Sequence, residues 1–283
     1  MGSDMNQTQI YDQQFNVLSG GISPFSRAFL YGESVFATMR ISGGKILFLE
    51  DHLYRLEMGY HWLFDTEIAF PMDHLSKGLL LLSQSYKEAR IRVTFHLNNN
   101  LYEFVPSSEQ PEFIVMVTNL EQKFLDEIGD VKIGICDEPY VRGVPHFAKV
   151  GSYLHQVKKL KEFRKNCFDD VLFLDDHRRL TEASTSNIFF RKGELLMTPS
   201  LSEGLLDGVM RKNIIRYVKD AGWKFTEGHF DIYNLLESDE VWLCNSSGIR
   251  VVTQIDNESF SKSEWTEKLR QLVLKGIEND QSS

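Results

Sequence analysis

The stretch from Val144 to Arg191 constrains the fold most, because it changes character several times within a short span. Lys149 stands in an irregular and mostly uncharged segment, HFAKVGSYL, and a helical spacing of apolar residues follows it. A strand (VLFLD), a polar turn (DDHRR) and a small-residue run that enters a second strand (LTEASTSNIFF) come next. The pattern predicts a block of helix and strands with a lysine before it and Glu182 within it.

This block resembles the core of the fold-type IV pyridoxal-phosphate enzymes, which include branched-chain and D-amino-acid aminotransferases and aminodeoxychorismate lyase. Lys149 stands where that family has its Schiff-base lysine. The family's T-E-x-x-x-S-N-[IL]-F segment is matched by Thr181, Glu182, Ser186, Asn187, Ile188 and Phe189. The resemblance implies pyridoxal 5'-phosphate as cofactor and an α+β fold like that of D-amino-acid aminotransferase. That fold has a small N-terminal α/β domain and a larger C-terminal, β-rich pseudo-barrel domain with helices.

The chemistry of this cofactor explains why a lysine and a carboxylate are needed. Pyridoxal phosphate acts as an electron sink, and the protein positions and tunes it. A lysine partly shielded from water loses its proton more readily and becomes nucleophilic, which suits Lys149. A carboxylate beside the pyridine nitrogen favours its protonated form, which is the role that the resemblance gives to Glu182.

The composition fits a soluble globular protein that contains a hydrophobic core. Of the 283 residues, 42% are hydrophobic and 25% are charged, with a net charge of −9. This negative charge argues against a general affinity for nucleic acid or an anionic membrane. No run approaches the roughly 18 apolar residues that span a bilayer, and the N-terminus lacks a basic-then-apolar signal. Three widely spaced cysteines without zinc spacing fit reduced thiols, so we expect a cytoplasmic location and no metal.

Hydrophobic periodicity predicts a first domain over residues 1–119, a connection over 120–130 and a second domain over 131–283 that carries Lys149. In the first domain, SVFATMRI and KILFLE predict a hairpin, with Phe36, Thr38 and Arg40 on one face. Helices are predicted from EDHLYRLEMGYHWLF and over about 72–88, and strands from ARIRVTFHL and EFIVMVTNL.

The first domain carries two further motifs that resemble the family. The segment from Tyr31 to Arg40 is similar to Y/R-x-G-[DT]-[GS]-V-F-E-[TG]-x-R, and His52 to Leu56 match H-x-x-R-L. The resemblance implies that Arg55 binds the cofactor phosphate, because a guanidinium offers a fork of charged donors to a dianion. It also implies that Tyr31, Phe36, Thr38 and Phe95 line the substrate pocket. Loop 96–110 is expected to shape that pocket.

The second domain carries the remaining cofactor motifs. Tyr153 stands four residues after Lys149, where branched-chain enzymes have a tyrosine that contacts the cofactor phenolate oxygen. Gly208 begins a predicted helix, where unpaired backbone N–H groups suit a phosphate. The resemblance assigns those amides to Val209 and Met210, although Met210 replaces the family's threonine. It assigns a further phosphate contact to Ser246 and Ser247 in the loop between two late strands.

Three functions remain open from the sequence. The first is an aminotransferase that exchanges an amino group between an amino acid, branched-chain-like or another L-amino acid, and a 2-keto acid. The second is aminodeoxychorismate lyase, which releases pyruvate and forms 4-aminobenzoate for folate synthesis, and in which Thr38 would assist proton transfer. The third is a homologue of the same fold without turnover, against which the intact Lys149 and Glu182 argue. We favour the aminotransferase, and the family implies a homodimer.

One departure from the family affects the substrate. Where D-amino-acid aminotransferases have an arginine that binds the substrate carboxylate, Val93 and Thr94 are followed by Phe95 and His96. This argues against a D-amino-acid substrate and leaves the carboxylate partner unassigned.

Overall fold

A computed structural model describes residues 8–98, 104–106, 109–126 and 128–282. The chain forms two compact units. The first comprises Met1–Phe124 with Phe147–Tyr153, and the second comprises Leu125–His146 with Leu154–Ser283. The sequence prediction assigned Lys149 to residues 131–283, whereas the structure groups its segment with the first unit. The reason is backbone pairing, because the Phe36 amide donates to the Lys149 carbonyl at 2.8 Å.

The first unit contains a five-stranded antiparallel sheet in the order β1-β5-β4-β2-β3. Its strands are β1 (Thr8–Tyr11), β2 (Ser34–Ser42), β3 (Lys45–Ile46), β4 (Glu88–Leu97) and β5 (Pro111–Asn119), and its helices are α1 (Arg27–Tyr31), α2 (Leu49–Leu63) and α3 (Met72–Ser83). One face of the sheet is apolar because every second residue of β2 and β4 is hydrophobic. The apolar stripes of α2 and α3 pack on this face, which buries Leu53, Tyr60 and Leu75.

Two predicted boundaries in this unit differ from the structure. KILFLE forms a strand only at Lys45–Ile46, because α2 begins at Leu49, directly after Phe48 in a left-handed conformation (φ 55°). The second predicted helix, over about 72–88, ends at Ser83, and β4 begins at Glu88. The other predicted strands and helices of the first domain are confirmed.

The second unit is built on a nine-stranded mixed sheet in the order β11-β10-β9-β12-β13-β6-β7-β8, with β14 beside β13. Its strands are β6 (Gly129–Cys136), β7 (Asp170–Leu174), β8 (Leu180–Ala183), β9 (Asn187–Lys192), β10 (Leu195–Pro199), β11 (Lys224–Gly228), β12 (Glu240–Asn245), β13 (Gly248–Ile255) and β14 (Glu258–Ser259), and its helices are α4 (Leu154–Lys165), α5 (Val209–Asp220), α6 (Ile232–Leu236) and α7 (Glu264–Ser282). Besides its neighbour β7, β8 also contacts β9 and β10, so the sheet curls into a half-barrel. The strands β11 and β14 and the short helix α6 were not predicted from the sequence.

The three cysteines of the chain are free thiols. Cys136 and Cys244 are buried and Cys167 is exposed, and none of the three forms a disulfide. Burial raises the pKa of the Cys244 thiol to about 12. None of the helices within the described ranges combines the length and the hydropathy that crossing a membrane requires.

Candidate functional site

Lys149 lies against the first residues of β2 and points toward aromatic side chains. Its Nζ donates a hydrogen bond to the Tyr153 hydroxyl at 2.9 Å and lies 5.0 Å from the centre of the Phe36 ring. The rings of Phe36 and Tyr153 are 5.8 Å apart. The lysine is partly buried rather than a solvated surface charge. The structure therefore brings together three of the residues that were predicted from the sequence to form the site.

The face of the sheet that does not pack on the helices carries the residues beside this lysine. In the antiparallel register, Thr38 is directly opposite Arg92, and Phe36 is opposite Thr94. The Arg92 guanidinium lies 3.5 Å from the centre of the Phe36 ring, and its Nε donates to the Thr94 hydroxyl at 3.1 Å. Thr38 is partly buried on this face, as the alternation of SVFATMRI predicted.

Arg92 was missed in the sequence analysis. Burial lowers its pKa, and the charge of Arg90 lowers it further, against an opposing effect of Tyr153. A cation that is partly removed from water and lies over the same aromatic ring as the Lys149 amine is suited to bind an anion. The sequence alone predicts that Arg92 and Thr94 lie on the same face of this strand, because they are two positions apart. The place of Arg92 opposite Thr38 required the register of β2 and β4.

His52 and Arg55 lie one turn apart on the buried side of α2, with exposed fractions of 2% and 9%. Burial lowers the pKa of His52 well below its ordinary value, and the positive charges of Arg55 and Lys149 add to this effect. His52 is therefore a neutral imidazole at neutral pH. Its buried Nδ1 has no hydrogen-bond partner among the described residues. Arg55 is thus buried, and its positive charge and that of Lys149 both lower the pKa of the His52 imidazole.

Phe95 does not line this face, so its predicted place in the substrate pocket is corrected. It is 1% exposed and belongs to the hydrophobic core, where its ring lies 5.2 Å from Tyr60 and 5.1 Å from Phe113. The physical reason is strand alternation, since Phe95 shares its side of β4 with Val93 and Ile91.

Tyr31 ends α1 and lies on the surface of the first unit. It is 44% exposed, and its ring contacts the Phe104 ring at a centroid distance of 5.5 Å. Its pocket role stays a prediction. Of the loop 96–110, which was expected to shape the pocket, residues 99–103 and 107–108 lie outside the described residues.

In the second unit, Glu182 lies on β8 and is 9% exposed. Its carboxylate accepts a hydrogen bond from the Leu206 amide at 2.9 Å, and the Arg142 Nε is 3.7 Å away. Arg142 also donates to the Pro145 carbonyl at 2.6 Å. The two contacts fix the orientation of the carboxylate. Arg142 was missed in the sequence analysis because no local pattern links it to a residue forty positions later.

The start of α5 lies next to the T-E-x-x-x-S-N segment. The Asn187 side chain donates to the Leu206 carbonyl at 2.8 Å, so Leu206 bonds both Asn187 and Glu182. A Cβ on Gly208 would lie 2.1 Å from the Asn187 Oδ1, which explains the glycine at this helix start. The first turn of α5, which begins at Val209, holds no acidic side chain. Its amides therefore form a helix N-terminus that suits an anion.

The Val209 and Met210 side chains are buried, with exposed fractions of 4% and 3%. Any contact of these two residues with a phosphate would therefore be made by their backbone amides, as predicted.

Ser246 and Ser247 form the turn between β12 and β13. Ser246 is partly buried and Ser247 is exposed, and the Ser247 amide donates to the Asn245 side chain at 2.8 Å. Asn245 in turn donates to the Ser186 hydroxyl at 3.0 Å. The turn is thereby tied to the T-E-x-x-x-S-N segment. Within the second unit, hydrogen bonds thus join Glu182 to the residues before α5, and the Ser246–Ser247 turn to Ser186.

Comparison with known proteins identifies the family. The model of the family described as "Amino-transferase class IV" matches residues 34–255 of this chain. The chain is 30% identical over 268 residues to "Aminodeoxychorismate lyase" of Bacillus subtilis (strain 168), covering 91% of this chain and 90% of the relative. It is 28% identical to "Probable branched-chain-amino-acid aminotransferase" of Thermotoga maritima, over 82% of this chain and 80% of the relative.

A solved structure confirms the fold. A hypothetical aminotransferase from Mycobacterium tuberculosis, in its PLP-bound form, superimposes with a TM-score of 0.82 and 18% identity, over 96% of this chain and 99% of that one. This likeness confirms the predicted fold class. Since the family description spans most of the chain, from β2 to the end of β13, this chain belongs to the class IV aminotransferase family.

Proposed function

We propose that this chain is a pyridoxal 5'-phosphate-dependent enzyme that transfers the amino group of an amino acid to a 2-keto acid. The observation that carries the proposal is the environment of Lys149. Its partly buried amine is hydrogen-bonded to Tyr153 at 2.9 Å and lies beside Phe36 in a chain of this family. This position holds the amine in one place, where it can form an imine with an aldehyde.

The donor set fits the cofactor. An aldehyde requires an amine, a protonated pyridine nitrogen requires a carboxylate, and a phosphate requires cationic and amide donors. Lys149, Glu182 and Arg55 supply the first three groups, and the start of α5 supplies amides. The close approach of Gly208 to Asn187 leaves no room for a side chain at that helix start. When bound, pyridoxal phosphate supplies an electron sink for the substrate carbanion.

We assign a phosphate contact to the amides of Val209 and Met210, to Ser246 and Ser247 and, on the family resemblance, to Arg55. Tyr153 would hold the Lys149 amine in place through the hydrogen bond described above. With cofactor and substrate bound, the Lys149 amine would act as the base that removes the proton from the substrate α-carbon. The same amine then returns a proton, which is general acid–base catalysis by one positioned group.

We assign the substrate carboxylate to Arg92. The Arg92 guanidinium lies 3.5 Å from the centre of the Phe36 ring, and the Lys149 Nζ lies 5.0 Å from the same centre. The two groups are therefore at most about 8.5 Å apart. Such a separation accommodates an amino acid whose carboxylate and α-carbon reach one group each. The sequence analysis left this partner unassigned.

Aminodeoxychorismate lyase is the second candidate, and one observation favours it. Two relatives with this name are 30% and 26% identical over 91% and 78% of this chain. Thr38 lies opposite Arg92 on the proposed substrate face, where its hydroxyl would assist proton transfer to the departing three-carbon unit.

One experiment tests the common part of both candidates. The protein reconstituted with pyridoxal phosphate is expected to be yellow, and borohydride should fix the cofactor covalently on Lys149. Mass spectrometry that finds the adduct on another lysine would refute this assignment. Incubation with amino-acid and keto-acid pairs, and separately with aminodeoxychorismate, then distinguishes amino transfer from pyruvate release.

We also propose a cytoplasmic homodimer that acts on small molecules. The three unpaired thiols support the location. Tyr54, Met58 and Trp62 form an apolar row along α2 with exposed fractions of 60%, 37% and 42%, which supports association. Light scattering of the purified protein measures its mass, and a monomer at micromolar concentration would contradict the dimer.

A further inference from the structure

The segment that carries Lys149 forms an additional edge pairing with the start of β2. Val150 pairs with Val35 in an antiparallel bridge. The Phe36 amide donates to the Lys149 carbonyl at 2.8 Å, and the Gly151 amide donates to the Ser34 carbonyl at 2.9 Å. These bonds fix the register of the lysine relative to Phe36.

The same segment then turns so that Tyr153 faces the lysine. The Tyr153 amide donates to the Gly151 carbonyl at 2.9 Å, and the Tyr153 hydroxyl accepts from the Lys149 Nζ. Gly151 therefore bonds β2 through its N–H and Tyr153 through its C=O. It is the residue that connects the strand pairing to the Lys149–Tyr153 contact.

The approach at Gly151 leaves no space for a side chain. A Cβ on this residue would lie 2.2 Å from the Ser34 hydroxyl and 3.4 Å from the Gly32 carbonyl. The backbone of Gly151 is not in the left-handed region, so alanine would be compatible with its conformation. Its glycine identity is thus explained by the close packing on β2, not by backbone freedom.

We infer that Gly151 is a positioning residue, which holds the Lys149 amine against Tyr153 by docking the lysine segment directly on β2. This inference rests on the proposed role of Lys149. A side chain at position 151 forces either the segment or the Ser34 hydroxyl to move. A displacement of about 1 Å at a reacting group can reduce the rate by roughly 100-fold.

The test compares Gly151→Ala with Gly129→Ala and with the double variant Gly151→Ala/Ser34→Ala. Gly129 is a matched control because its Cβ would meet no atom within 4 Å and its backbone is also outside the left-handed region. Gly151→Ala is expected to lower kcat by about 10- to 100-fold. The double variant removes the obstructing hydroxyl and should restore most of the activity, whereas a merely destabilising change would not be rescued.

A second readout uses the cofactor-free protein and does not depend on catalysis. The rate at which acetic anhydride acetylates Lys149 is followed by peptide mass spectrometry, with the exposed Lys45 as internal reference. Gly151→Ala should expose the amine and raise its relative rate at least about threefold, because the Tyr153 hydrogen bond and the two rings no longer cover it. The double variant should return to the parent rate, and Gly129→Ala should equal the parent.

If Gly151→Ala does not fold, Ser152→Ala decides the question. Ser152 is exposed, and its hydroxyl donates to the Gly32 carbonyl at 3.2 Å, so its loss weakens the docking without adding volume. Faster acetylation of Lys149 at an unchanged melting temperature supports the inference.

An unchanged acetylation rate of Lys149 in Ser152→Ala, or a Gly151→Ala protein that matches Gly129→Ala, overturns the inference. Because the acetylation needs no cofactor, failure of the proposed function would appear separately, as absence of pyridoxal phosphate binding.

Discussion

The Arg92→Ala substitution tests how the substrate is recognised. The change removes a guanidinium that lies 3.5 Å over the Phe36 ring and bonds Thr94. In the part of the chain that the structure describes, Arg92 forms no ion pair with a carboxylate. Its partly desolvated charge is therefore available for an anionic ligand.

The magnitude follows from the lost charge-assisted contact. A hydrogen bond to a charged group contributes roughly 1.5–3 kcal/mol. This corresponds to an increase in KM of about 10- to 150-fold for the substrate whose carboxylate Arg92 binds. Cofactor content, measured by absorbance, should stay at the parent level because Arg92 is not among the proposed cofactor ligands. Arg92→Lys keeps the charge but loses the planar fork, so we expect an intermediate KM.

The matched control is Arg90→Ala. Arg90 lies on the same strand and the same face but is exposed, and it is opposite Arg40. Steady-state kinetics with the substrate identified for the parent protein should give a KM within about twofold of the parent for this control. An unchanged KM for Arg92→Ala, or an equal increase for Arg90→Ala, would refute the assignment of the carboxylate to Arg92.

Three further substitutions test the remaining assignments. Arg55→Ala should weaken cofactor binding by about 10- to 150-fold in equilibrium titration, through loss of a charged contact to the phosphate, and unchanged affinity would exclude that contact. Glu182→Gln should retain the Leu206 amide bond and the cofactor but lose most turnover, because the amide carries no charge; near-normal turnover would argue against Glu182 as the ring-nitrogen partner. Thr38→Ala should reduce pyruvate release by on the order of 100-fold if the protein is a lyase, whereas amino transfer should change only a few-fold. Pyruvate release that Thr38→Ala abolishes would eliminate the aminotransferase, and amino transfer that survives it in a protein unable to release pyruvate would eliminate the lyase.

Local patterns in the sequence were sufficient to predict most of the elements and the order of the motifs. Alternation along SVFATMRI placed Phe36 and Thr38 on one face, and the structure confirms this because the period of a strand depends only on neighbouring residues. The 3.6-residue period predicted α2, which holds Arg55 on its buried side. The same alternation applied to ARIRVTFHL would have placed Phe95 with Val93 in the core. The error there came from following a family position instead of the strand period.

Contacts between distant segments were decided only by the tertiary structure. The pairing of residues 149–151 with Ser34–Phe36 joins parts of the chain more than one hundred positions apart, and no local period encodes it. The neighbours of Phe36 and Glu182 have the same origin. Arg92 is beside Phe36 because of the β2–β4 register, and Arg142 is beside Glu182 because the second unit folds them together. A sequence specifies which face of an element is apolar, whereas the partners of its polar face are fixed by packing and long-range hydrogen bonds.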